Sequence, residues 1–169
     1  MKRLELLKTL TNIVFALCMI TMAFLPPLLL IAIFMPGRIP FKVNGVPADQ
    51  LGAEALIAAF FIIVAYAFFI YALYLFKGTL ALFQKKKIFH EDVIKNFSQT
   101  GLAILIGYAI SIGTVFFYNL ATTNEQHISL DFTGIAQSLA IPALGLFFIV
   151  LGDIFAMAKK IKDENDLTI

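Results

Sequence analysis

The run "ALIAAFFIIVAYAFFIYALYLF", Ala55–Phe76, decides the fold. It holds no charged residue and exceeds the about 20 apolar residues that carry a helix across a bilayer. Lipid offers no partners to backbone N–H and C=O groups, so a spanning segment must satisfy them internally. A β-barrel strand would alternate polar and apolar residues over about ten positions, and this run does not alternate.

Three more runs of this kind flank it. No charge occurs between Lys8 and Arg38, between Lys95 and Glu125, or between Asp131 and Asp153. The spacing predicts four transmembrane helices, near 13–34, 55–76, 102–120 and 134–156, in one domain covering 1–169. Composition agrees: 60% of residues are hydrophobic and 14% charged, against about 45–50% and about 25% in soluble domains. The opening "MKRLELLK" looks like the basic start of a signal peptide. The apolar run behind it is longer than the about 7–15 residues of a signal core, so an uncleaved first span is expected. Cys18, the only cysteine, has no internal disulfide partner.

Charge sets the expected orientation. With both termini inside, 11 of the 13 Lys and Arg residues lie on the inner side, which the positive-inside rule favours. The outer loops differ from the inner one. "FKVNGV" places Asn44-Gly45 between β-formers, a hairpin signal because both residues tolerate positive φ. "HISLDFTG" alternates Ile128, Leu130 and Phe132 with Ser129, Asp131 and Thr133, the period of a strand. A small extracytoplasmic hairpin or sheet is expected from the two.

The inner loop lies in "LFQKKKIFHEDVIKNF", Leu82–Phe97. The second helix is expected to run on to Gln84. His90 is a candidate N-cap for the third helix, with Glu91 and Asp92 complementing the dipole of its first turn. Val93, Ile94, Phe97 and Gly101 continue at helical spacing. The stretch therefore reads as the tip of a cytoplasmic helical hairpin. Lys85, Lys86 and Lys87 could do no more than touch anionic headgroups. With Ile88 and Phe89 they also form a basic and apolar patch suited to a soluble partner. The tail acids Asp163, Glu164 and Asp166, followed by Leu167, have the sign to latch onto the tip lysines.

Three features together resemble a bacterial family of four-span membrane proteins of unassigned function, often encoded beside a small Cro-type helix-turn-helix repressor. They are the basic turn "KKKIFHEDVIKNFSQTG", the closing "GDIFAMAKKIKDENDLTI" and the four-span layout. Many relatives carry Arg-Leu within the loop helix, where this chain has "IKNFSQTG". The resemblance implies a regulatory role in the bacterial cytoplasmic membrane, exerted by binding such a repressor from the inner side. It implies no direct contact with nucleic acid.

Signatures of catalysis are missing. His90 and His127 fall on opposite sides, and no HExxH, CxxC, P-loop or GxSxG pattern occurs. No enzyme, metal or cofactor is expected. Asp153 is a carboxylate inside a span, a functional candidate by default. The alternative function is thus a small transporter or channel subunit with Asp153 as its ion or proton site, aided by Asn12, Ser111, Gln137 or Ser138. Ala103, Gly107 and Ser111 recur every four residues, and Gly145, Gly152 and Ala156 suggest a second small-residue face. Both favour close helix packing, within one chain or in a homo-oligomer. Pro26-Pro27 and Pro142 are expected to interrupt their helices.

Overall fold

A computed structural model describes residues 2–35, 42–43, 46–47, 52–122 and 132–167. Four helices account for nearly all of them: α1 (Lys2–Phe34), α2 (Ala53–Gln84), α3 (Glu91–Thr122) and α4 (Phe132–Asp166). Each is long and apolar enough to cross a membrane, and the chain is an all-α, multi-pass membrane protein. At 32 to 35 residues the helices reach about 48–53 Å, well beyond the about 30 Å of a hydrocarbon core.

The helices therefore overrun the spans read from hydropathy. α1 begins at Lys2, because "KRLELLKTL" is made of good helix formers that need no lipid to stay helical. It also runs through Pro26 and Pro27, and α4 runs through Pro142. A proline in a helix withdraws one N–H donor, and here the helical turns on either side carry the backbone past the gap.

Among the described residues the β structure amounts to β1 (Lys42–Val43) and β2 (Val46–Pro47), antiparallel, with Lys42 opposite Pro47 and Val43 opposite Val46. Asn44 and Gly45 lie outside the described residues. So do Ile128–Asp131 of the second expected strand. Its last two residues, Phe132 and Thr133, open α4 instead, a correction to the strand reading. A helix satisfies more backbone groups there than a strand end with no neighbour.

Helices next to each other in sequence pack together: α1 on α2, α2 on α3, α3 on α4. Every pair is antiparallel. Lys8 of α1 meets Gln84 of α2, and Glu91 of α3 meets Lys159 of α4. Both chain ends thus sit at the same end of the bundle as the α2–α3 turn. The buried side chains crowd toward that basic end: Ala72, Leu75, Thr79 and Leu80 of α2, with Val93, Phe97, Thr100, Ala103 and Ile104 of α3.

Glycine sets the α3–α4 crossing. A Cβ on Gly101 would clash with the carbonyl of Gly145, a backbone group that cannot turn aside. One on Gly152 would lie 2.6 Å from Ser98 Oγ. On the other side of α3, Gly107 lets α2 approach, with Ala65 O 3.1 Å from where its Cβ would be. In lipid, close packing of this kind replaces the hydrophobic drive between helices.

Phenylalanines lock the same region. Phe97 of α3 packs against Phe83 of α2 (6.1 Å between centroids) and against Phe148 (6.0 Å) and Phe155 (5.4 Å) of α4. Phe76–Phe148 and Phe83–Phe155 close the set at 5.6 and 5.8 Å. Aromatic pairs at such distances add about 0.5–1.5 kcal/mol each beyond area burial. The cluster makes α2, α3 and α4 one rigid base beneath the turn.

Candidate functional site

The α2–α3 turn is a built structure. Lys85 caps α2. The N–H of Lys86 donates to Phe83 O at 3.0 Å, and that of Lys87 to Leu82 O at 3.1 Å. This is the Schellman pattern, which ends a helix by satisfying its last carbonyls and asks for a left-handed residue at the first of the two donors. Lys86 fills that place at φ 58°, where glycine is the usual occupant.

His90 then starts α3. Its Nδ1 lies 3.3 Å from the backbone N of Asp92 and 3.1 Å from Asp92 Oδ2. An Nδ1 without hydrogen accepts the N–H as an N-cap, whereas one that carries hydrogen donates to the carboxylate, so the nitrogen makes one of these contacts at a time. One turn on, Val93 is wholly buried (0% exposed) and anchors the start of α3.

Between the two helix ends, Lys85, Lys86 and Lys87 are exposed, and so are Ile88 (43%) and Phe89 (38%). The α4 tail reaches this tip. Lys159 Nζ lies 2.7 Å from Glu91 Oε1, and Lys162 sits over the Phe89 ring at 5.7 Å. Lys160 pairs loosely with Glu164 one turn along, at 3.9 Å. The Lys159 hydrogen bond and charge hold the Glu91 carboxyl below its usual range. Glu91 in turn holds the Lys159 ammonium above its own.

The contacts between tail and tip have the opposite polarity to the expected latch of tail acids on tip lysines. The tail supplies the cations, Lys159 and Lys162, and the tip supplies Glu91 and the Phe89 ring. The physical reason is register. With Gly152 against Ser98, α4 brings Lys159 level with the first residue of α3. Asp163, Glu164 and Asp166 follow on the exposed end of the helix, and Leu167 is 86% exposed.

Glu91, Lys159 and Lys162 were not singled out by the sequence as a contact, and neither was the phenylalanine cluster. The latter left a signal: Phe76 and Phe83, like Phe148 and Phe155, stand seven residues apart, two turns on one helix face. Of the small-residue positions, Ala103 is buried, Gly107 faces α2, and Gly145 and Gly152 face α3. Ser111 is half-buried.

The polar groups offered for an ion path whose side chains are described, Asn12, Ser111 and Asp153, belong to three different helices. Asp153 is exposed on α4 and pairs with no side chain among the described residues. Asn12 is on α1, which packs along α2. The side chains of Gln137 and Ser138, and all of His127, lie outside the described residues. Among the described residues no three His, Cys, Asp or Glu side chains come together.

Residues 30–169 match the family model described as a protein of unknown function, DUF2975, and the chain belongs to that family. Comparison with curated proteins and with solved structures finds no match.

Proposed function

We propose that this protein is a non-enzymatic sensor or regulator of the bacterial cytoplasmic membrane that binds a soluble cytoplasmic partner through its basic end. In this reading both termini and the Lys85–Lys87 turn face the cytoplasm, as the distribution of Lys and Arg favours. The observation that carries it is the tip itself. Ile88 and Phe89 stand exposed beside three lysines, on a turn held by capping at both helix ends. An anchor that only marked the membrane boundary would need the charges and not the two exposed apolar side chains.

The proposed partner is a small helix-turn-helix repressor, the kind of protein that the resemblance places beside this family. The α4 tail acts as a weak brace. An exposed cation–π contact contributes only about 0.5–1 kcal/mol, so a partner that buries Ile88, Phe89 and Leu167 displaces Lys162 from the ring at low cost. The test is co-purification of the protein, in native membranes, with the product of a neighbouring repressor gene, together with the output of that repressor's target promoter. Phe89→Ala and a triple Lys85–Lys87→Gln variant are expected to lower co-purification at least fivefold and to shift promoter output, with membrane insertion unchanged. Unchanged recovery and output in both variants would overturn the reading.

A further inference from the structure

At the end away from the basic turn, α2 and α3 separate. They leave a cleft of about 470 Å³, within the about 300–1,000 Å³ of small-molecule sites. Ile57, Phe61, Ile110 and Phe117 give it apolar and aromatic walls, and Glu54 is the only charged residue lining it. Thr114 also lines it, but its hydroxyl is committed to Ile110 O at 2.7 Å. From these observations we infer that the cleft binds an amphiphilic organic cation, its ammonium group at Glu54 and its apolar body between α2 and α3.

Gly113 supplies the second line of argument. Gly101, Gly107, Gly145 and Gly152 of α3 and α4 are each met closely by a neighbouring helix. Gly113 lines the cleft, and a Cβ built there meets nothing within 4 Å. A mid-helix glycine weakens a helix, and here no packing offsets that. What the missing side chain provides is room in the cleft.

The chemistry of the walls selects the ligand class. One carboxylate cannot chelate a metal ion, which takes several ligands. Glu54 stands exposed at the start of α2, at the mouth of the cleft, where one carboxylate attracts a single positive charge. Phe61 and Phe117 offer aromatic surface to the apolar body. A neutral lipid chain would satisfy the apolar walls and leave Glu54 unused.

The inference does not rest on the partner reading, because binding alone tests it. The full-length protein in phosphatidylcholine nanodiscs is exposed to dodecylammonium carrying a diazirine in its chain, and separately to the same chain ending in an alcohol. After irradiation the adducts are mapped by mass spectrometry. The ammonium is expected to label cleft residues at least fivefold more than the alcohol, and Glu54→Gln to abolish that excess. Gly113→Leu, whose side chain enters open space, is expected to cut labelling by both probes at least fivefold. Glu54→Lys should transfer the preference to a sulfate-headed analogue, which shows that a folded cleft persists in that variant. Equal labelling by ammonium and alcohol would overturn the inference in favour of a groove for any lipid chain. Labelling elsewhere than the cleft, or labelling that Gly113→Leu leaves unchanged, would overturn it outright.

Discussion

Lys86 shows how a single residue reports a constraint that composition hides. Three consecutive lysines read as a charge run, and nothing in that run says that the middle one must be left-handed. The hydrogen bonds of Lys86 and Lys87 to Phe83 and Leu82 impose it. A non-glycine residue in that region costs on the order of 1 kcal/mol. Lys86→Gly is therefore expected to raise stability by about 0.5–1 kcal/mol, read as a higher denaturant midpoint, whereas Lys85→Gly is expected to lower it. Asp153 is the converse case. Its place in a span made it conspicuous, yet it is exposed on α4 and unpaired among the described residues. Asp153→Asn, which removes a charge from a span and breaks no pairing, is expected to leave the bundle at least as stable as it is. In reconstituted vesicles any proton- or cation-dependent flux should survive the substitution. A robust flux that vanished with it would restore the transporter alternative.

At the scale of elements, the α3–α4 pair carries both the crossing and the latch. Phe97 touches rings from α2 and α4, so Phe97→Ala is expected to cost about 3 kcal/mol and to loosen three helices at once. Chemical unfolding followed by helix content would read this. The Glu91–Lys159 contact has a defined pH window. The carboxyl is shifted down, so its share of stability is present above its ordinary titration range and is lost as pH falls through the lowered value. The ammonium is shifted up, so its share is present below its ordinary range and is lost as pH rises through the raised value. The coupling from a double-mutant cycle of Glu91→Gln and Lys159→Gln should be measurable at neutral pH and vanish in strong acid. A coupling that persisted in acid would show that the contact is not an ion pair. The four long helices were legible in the sequence because absence of charge over a span is a one-dimensional signal. So were the cap at His90 and the end of α2 at Gln84, which depend on neighbours in the chain. The Glu91–Lys159 and Lys162–Phe89 contacts were not, because they depend on which residue of α4 lies beside which residue of α3. Gly101 against Gly145 fixes that register, and neither glycine announces its partner.

The whole molecule is asymmetric along its length. Toward the basic end, glycine contacts and the phenylalanine cluster close α2, α3 and α4 together. Toward the other end α2 and α3 leave a cleft beside Gly113 and Phe117. A protein built this way holds a firm surface at one end and an open cleft at the other. The functional reading therefore depends on which end faces the cytoplasm. The contacts Lys8–Gln84 and Lys159–Glu91 bind the two termini and the turn to one side, so one measured location assigns all three. The excess of Lys and Arg at that end predicts that it is the cytoplasmic one. Because Cys18 is the only native thiol, a Cys18→Ser background permits single reporters at Lys86, Lys160, Ala53 and Thr122. In intact cells an impermeant maleimide is expected to label the Ala53 and Thr122 positions and to leave the other two unlabelled until the membrane is opened. Labelling at Lys86 or Lys160 in intact cells would place the tip outside. It would remove the partner proposal while leaving the cleft inference standing, since that rests on Glu54 and Gly113 and on neither side of the membrane.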